Sequence, residues 1–405
     1  MAVALKPVKN LTAIDGICLA SVSAGIKKNG RDDLVLISII EGSQVAIAFT
    51  QNAFCAAPVT IAKKHAAIEQ TRALIINAGN ANAGTGKQGE RNALQCCEAV
   101  AGALHIQPQQ VLPFSTGVIS EALPTTTICQ AIPAAVKQLD ENAWVAAANA
   151  IMTTDTLPKG TSRKVMIDGI QINLTGIIKG AGMICPNMAT MLAYVGTDAK
   201  IEDGVLQDGL KQVLTKSLNS LTVDGDTSTN DACVLIATGQ ADNKALNLSH
   251  PDWPAFIATL ESLFIELGQA VIRDAEGATK FVTIAIEDGL TVGECRQVAY
   301  TIAHSPLVKT ALFASDANWG RILAAVGRSR LDNLDINLID LYLGDVCLLR
   351  SGEPDAQYKD SMGQAEMAKQ DITLRIVLGR GRQKTTVWTS DLSHDYVTIN
   401  AEYRT

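Results

Sequence analysis

The sequence predicts an α/β protein in two domains, and three observations carry that reading. At 405 residues the chain is longer than one hydrophobic core usually organises. Short apolar runs alternate with helical patterns along its length, the order expected of helices packed on sheets. Aromatic residues make up only 4%, which suits closely packed layers built from small and aliphatic side chains.

Taken in order, residues 34–40 and 45–49 read as strands around Glu41-Gly42-Ser43, a hairpin signal. Residues 73–76 read as a short strand entering a Gly/Asn-rich loop at 77–86. Residues 165–166 and 170–178 flank Asp168-Gly169, a second hairpin signal. A strand at 191–195 follows Thr190 directly. Val205, Leu206, Leu210, Val213, Leu214 and Leu218 share one broad helical face. Residues 253–272 form a longer helix with Pro254 early, where proline is tolerated. Near Asp288-Gly289 the pattern shifts to short segments, and 372–400 is mostly strand-like. The expected domains are therefore 1–285 and a smaller C-terminal one, 286–405.

The bulk properties exclude several functions. A formal charge of −7 with no basic block argues against nucleic-acid binding, which needs a basic face. Polar residues interrupt every apolar run before the roughly 20 residues of a membrane span. The first ten residues resemble no secretory or organellar signal, so a cytoplasmic protein is expected. Nine scattered cysteines, and five histidines never at HxH or HxxxH spacing, predict a reducing compartment and no metal site.

The run KGAGMICPNMATML at 179–192 is the most informative. Its glycines allow close backbone approach, Pro186 restricts Cys185 before it, and a hydroxyl residue is delivered to a strand start. Attack of the Thr190 hydroxyl on the Ala189 carbonyl would convert the peptide to an ester, which water cuts. The released α-amine, with a reference pKa of roughly 7.7–8.0, can then serve as base for its own hydroxyl. Small Ala189 leaves the scissile carbonyl open. A structural threonine at a strand start is the bland alternative.

Three other signals fail on their own terms. Gly79 and Gly84 have phosphate-loop spacing, but Thr85-Gly86 stands where Lys-Ser/Thr is required. Asp224, Asp226, Ser228 and Asn230 begin like a calcium loop, yet Thr229 and Leu235 replace the glycine and glutamate it needs. A Cys185 nucleophile would not explain cleavage.

The run 179–192 resembles the self-cleavage segment of the ornithine acetyltransferase family, the bifunctional glutamate N-acetyltransferase / amino-acid acetyltransferases of arginine biosynthesis. So do NAGNANAGTG at 77–86, STGV at 115–118, TTD at 153–155, DGDTSTND at 224–231, SDANWGR at 315–321 and INAEYRT at 399–405. The resemblance implies a layered αββα fold like that of self-processing amidases, with a smaller C-terminal domain. It implies cleavage into chains 1–189 and 190–405 and an α2β2 heterotetramer. The reaction implied moves acetyl from N2-acetyl-L-ornithine to L-glutamate through an ester on Thr190. Bifunctional members also take acetyl-CoA as donor, and no cofactor is implied.

Thr116 and Gly117 match the family's oxyanion-hole pair, a hydroxyl and a backbone N–H aimed at developing negative charge. Thr153, Lys179, Thr190, Glu276, Asn400 and Thr405 match its substrate-binding positions. Lys179 suits the α-carboxylate that both substrates carry, and Glu276 is expected near their shared α-nitrogen. Two rival readings stand beside this one: a self-cleaving threonine amidohydrolase or aminopeptidase that passes the acyl group to water, and an uncleaved binding protein.

Overall fold

The computed structural model describes residues 2–27, 30–185 and 191–402. Strand β1 (Ile17–Val22), β2 (Leu34–Ile39), β4 (Ala73–Asn80) and β5 (Val111–Val118) form a first sheet in the order β1-β2-β4-β5. The expected hairpin after β2 is instead a crossover. β1 and β4 occupy both edges of β2, so β3 (Gln44–Phe49) has no free edge there and pairs with β9 (Ala232–Ala237) in a second sheet. Gly42, at φ +86°, and the Ser43 hydroxyl, donating to the Ile40 carbonyl at 2.8 Å, carry the chain across. β4 also runs past the expected loop start: residues 77–80 pair in parallel with the end of β5.

The second sheet has the order β3-β9-β8-β7-β6, with β6 (Lys159–Ile167), β7 (Ile170–Lys179) and β8 (Leu192–Thr197). Its β6–β7 hairpin turns at Asp168-Gly169 as expected, both residues at the positive φ such a turn requires. The two sheets pack face to face: Ile37, Ile76 and Phe114 meet Ile177, Tyr194 and Val234 in one buried cluster. Phe114 and Tyr194 stand edge-on with ring centres 5.6 Å apart.

Helices α2 (Gly86–Leu104) and α3 (Thr125–Lys137) cover the outer face of the first sheet. α5 (Val205–Lys216) and α6 (Trp253–Arg273) cover that of the second, burying the apolar stripe read from the sequence. α1 (Ala57–Ala66) packs beside β5 and α2, and α4 (Trp144–Ala150) places Trp144 between the sheets. This is the α-β-β-α layering that the resemblance implied. One expectation needs correction. α6 is long and apolar enough to cross a membrane by length and composition, with mean hydropathy 1.5, but it is a core helix: Phe256, Leu260, Leu263 and Phe264 are wholly buried.

A third sheet, in the order β13-β12-β11-β14-β10-β15, follows. Its strands are β10 (Phe281–Gly289), β11 (Asp340–Leu343), β12 (Val346–Arg350), β13 (Glu353–Pro354), β14 (Asp371–Val377) and β15 (Gln383–Ser390). With α7 (Val292–Ala303), α8 (Pro306–Phe313), α9 (Trp319–Gly327) and α10 (Asp360–Met367) it encloses a separate buried cluster. Residue 285 falls inside β10. The tail departs from its strand-like reading after β15: Ser393, whose hydroxyl accepts the Tyr396 N–H, caps helix α11 (His394–Ala401), which carries Asn400.

Candidate active site

Lys179 closes β7 and pairs with Leu192, the first residue of β8, which in turn pairs with Ala232 at the start of β9. Parallel and antiparallel neighbours thus bring three strand ends to one level, facing the end of β5 across the sandwich. A cavity of about 240 Å³ opens there, lined by Thr116, Gly117, Thr153, Lys179, Glu276 and Asn400 among others. The structure therefore gathers six of the sequence-derived candidates. Ala189, Thr190 and Thr405 lie outside the described residues.

Lys179 is the hub. Its Nζ donates to Thr153 Oγ1 at 2.6 Å and to Thr116 Oγ1 at 3.3 Å, and lies 3.7 Å from Asp155 Oδ2. An ammonium has no acceptor capacity. Both threonine oxygens must therefore accept, so their own O–H hydrogens are directed away from Lys179. Burial pushes the Lys179 ammonium down, and Asp155 opposes that without restoring the usual lysine value. A carboxylate brought into the cavity would add to the countercharge that Asp155 supplies.

Asp155 holds this geometry from below. One oxygen accepts the Gly180 N–H at 2.7 Å and pairs with Lys159 at 2.6 Å, while the other accepts the Thr153 N–H at 2.9 Å. Burial works against its charge, but Lys159 and Lys179 overcome that and hold the carboxyl well below the usual range. Lys159 also pairs with Asp274 at 2.6 Å, and Asp274 accepts the Thr156 and Leu157 N–H groups. Two carboxylates and one lysine thereby pin the segment 153–159 under the cavity.

Glu276, whose N–H donates to the Ala181 carbonyl at 2.9 Å, accepts from Asn400 Nδ2 at 2.8 Å, which ties α11 to the cavity. The Glu276 carboxylate lies directly against Gly182: a Cβ there would come within 2.4 Å of Oε2, so any larger residue would displace the carboxylate. Asp224 accepts the N–H groups of Met183 and Ile184 at 2.7 and 3.0 Å and the Tyr396 hydroxyl at 3.2 Å. The carboxylate that began the calcium-like pattern is thus a staple between the 180–185 loop and α11.

Gly117 sits at φ +133°, and a Cβ there would meet the Gly79 carbonyl carbon at 2.2 Å. The Asn-rich run explains that close approach. Ser115 Oγ donates to Asn77 Oδ1 at 2.5 Å, and Asn230 Nδ2 donates to the carbonyls of Ala81 and Ser115 at 2.6 and 2.9 Å. These amides lock β5 against β4 so that Thr116 and Gly117 face the cavity.

Sequence reasoning assigned no role to Asp155, Lys159, Asp274 or Asn230. Asp155 stood in a motif, but nothing in the spacing of Lys159 or Asp274 marks them as its partners. Chemically, the described residues lining the cavity offer one cation, one carboxylate and several neutral donors. That set is chemically complementary to a small molecule carrying a carboxylate and an amine nitrogen.

Comparison with known proteins agrees in scale. The pattern described as the ArgJ family matches residues 18–405. The arginine biosynthesis bifunctional protein ArgJ of Pseudomonas syringae pv. tomato is 53% identical over 409 residues, covering 100% of both proteins. That of Methylococcus capsulatus is 51% identical over 395 residues, 98% of this chain and 97% of the relative. The crystal structure of arginine biosynthesis bifunctional protein ArgJ from Bacillus halodurans matches at 37% identity with a TM-score of 0.50, over 51% of this chain and 97% of that one. The chain belongs to the ArgJ family.

Proposed function

We propose that this ArgJ-family enzyme of arginine biosynthesis cuts itself between Ala189 and Thr190 and moves acetyl from N2-acetyl-L-ornithine to L-glutamate through an ester on Thr190. The observation that carries this reading is Lys179, bonded to Thr116 and Thr153 in a cavity that Glu276 also lines. It stands opposite the strand that begins two residues after Thr190. A cut at 189/190 is also consistent with a solved relative's chain being matched almost entirely by half of this one.

In the first half-reaction Lys179 receives the substrate α-carboxylate and Glu276 faces the α-nitrogen. The Thr190 amine takes the proton of its own hydroxyl, which attacks the acetyl carbon. Negative charge then develops on the acetyl oxygen, where the Thr116 hydroxyl hydrogen and the Gly117 N–H stabilise it. Ornithine leaves with the proton. Glutamate enters the same pocket and reverses the sequence, so one cavity serves two amino acids in turn.

Because one amide is exchanged for another, the chemistry requires neither cofactor nor metal. The relatives are named bifunctional, which supports acetyl-CoA as a second donor. The mature protein is proposed to be an α2β2 heterotetramer of chains 1–189 and 190–405. All nine cysteines are unpaired, which fits a reducing cytoplasm. The full-length match to bifunctional relatives favours transfer to glutamate over transfer to water.

Mass analysis tests the whole scheme. Purified protein should contain a chain starting at Thr190, and acetylornithine alone should add one acetyl group to it. Glutamate should discharge that label faster than buffer does. A break elsewhere, a label on 1–189, or discharge indifferent to glutamate would overturn the proposal.

A further inference from the structure

The segment between β1 and β2 folds back around one side chain. Asp33 is wholly buried. Its Oδ1 accepts the Ala24 N–H at 2.6 Å, and its Oδ2 accepts those of Ile26 and Lys27 at 2.6 and 2.8 Å. Two carboxyl oxygens have room for three donors, so one residue ties the whole loop 24–27 to the start of β2. The Asp33 carbonyl also accepts the Ala78 N–H at 2.8 Å, which fixes the same anchor to β4.

The loop bears on the site through two arms. Ile26 lies against Gly79: a Cβ on that glycine would meet Ile26 Cγ2 at 2.9 Å and Lys27 Cγ at 3.5 Å. Gly79 is the register partner of Gly117 across the parallel pair β4–β5, and its carbonyl carbon is the atom that leaves Gly117 no room for a side chain. Ile26, Gly79 and Gly117 are thus in successive contact. The other arm is Lys27, whose Nζ donates to the Ala150 carbonyl at 2.8 Å and to the Asp32 carbonyl at 3.3 Å. Ala150 ends α4, three residues before Thr153. Gly117 and Thr153 line the cavity, whereas Ile26, Lys27 and Asp33 do not. One loop outside the cavity therefore touches the supports of two residues inside it.

We propose that Asp33 is a positioning residue for the acetyl transfer: through the loop 24–27 it sets Gly117 by the Ile26 arm and Thr153 by the Lys27 arm. The inference rests on the oxyanion role of Gly117 and the substrate-binding role of Thr153 in the function proposed above. The two arms carry different kinetic signatures. Displacing the Gly117 N–H weakens stabilisation of charge that exists mainly in the transition state, which lowers kcat. Displacing Thr153 weakens contact with bound substrate and transition state alike, which raises KM. A loop that only held the β1–β2 hairpin together would make no such distinction.

The test measures glutamate acetylation from acetylornithine by purified enzyme, with folding read by thermal unfolding. Ile26→Ala deletes the methyl that touches Gly79 and should lower kcat by roughly 10–100-fold with KM nearly unchanged. Ile26→Val, which keeps that methyl, should recover most of the rate. Lys27→Met keeps the stem beside Gly79 but loses the bond to Ala150, and should raise KM for acetylornithine severalfold with kcat largely kept. Asp33→Asn sets an amide nitrogen where an oxygen accepts N–H groups, and should show both defects together. If Asp33→Asn does not fold, the two single-arm variants decide. Equal defects in Ile26→Ala and Lys27→Met, no defect in either, or no recovery in Ile26→Val would overturn the proposal. A wild-type enzyme that acetylates no glutamate would instead refute the proposed function.

Discussion

Lys159 and Asp155 form a 2.6 Å ion pair from which both side chains are wholly shielded from solvent. The pair is useful to the site because Asp155 also holds the Gly180 N–H and faces Lys179. A cation that never touches the cavity thereby sets where the cavity's own cation stands.

Lys159→Met should destabilise the protein by about 3–5 kcal/mol, because it leaves Asp155 and Asp274 buried without their shared cation. The loss should depend on pH. Asp155 titrates below its unfolded value, so its contribution is complete above the ordinary carboxylate range, about 4, and is lost as acid takes the pH lower. Urea unfolding at neutral and acid pH should show the wild-type advantage shrinking toward the acid end.

Two glycines should respond to alanine in opposite directions. Gly117→Ala adds a Cβ within 2.2 Å of backbone at φ +133°, and strain plus overpacking should cost roughly 2–5 kcal/mol. Gly102, inside α2, has nothing within 4 Å of the new methyl, so alanine there should stabilise by about 0.5–1 kcal/mol. Chemical denaturation of both variants measures the contrast.

Thr116→Ala should lower turnover on the order of 100–1000-fold while leaving KM nearly unchanged, because its hydrogen meets charge present mainly in the transition state. Thr116→Ser, which keeps the hydroxyl, should recover most of the rate. The comparison requires enzyme shown to be cleaved and folded. Equal losses in kcat for Ala and Ser would contradict an oxyanion role.

Lys309 predicts a rise of stability with alkaline pH. Its Nζ donates to Thr389 Oγ1 at 3.1 Å and to the Ser390 carbonyl, and it is buried. Burial pushes its ammonium down to about 8, with Asp391 and Asp224 opposing. The unfolded lysine keeps its proton to about 10.4. Between these values the unfolded chain binds more protons, so the folded state gains stability as pH rises. Relative to Lys309→Met, the wild type should gain on the order of 3 kcal/mol across that window. Parallel curves for the two proteins would refute it.

The sequence alone predicted elements whose signal is local. The Asp168-Gly169 turn, the α5 stripe and the length of α6 all follow from residues within a few positions of one another. The resemblance likewise named Thr116, Gly117, Thr153, Lys179 and Asn400, each in a motif readable as a string, and Glu276, which stands outside those motifs.

Partnership was decided only by the tertiary structure. Glu41-Gly42-Ser43 looks like a hairpin, and only the occupied edges of β2 turn it into a crossover between sheets. Asn400 falls in a tail that reads as strand, and only the capped helix α11 brings it to Glu276. Lys159 and Asp274 are separated by more than a hundred residues, so no pattern along the chain could pair them. The physical reason is the same in each case. Turn and helix preferences act through adjacent dihedrals and spacings, whereas the low-dielectric interior compels buried charges and strand edges to find partners wherever the fold places them.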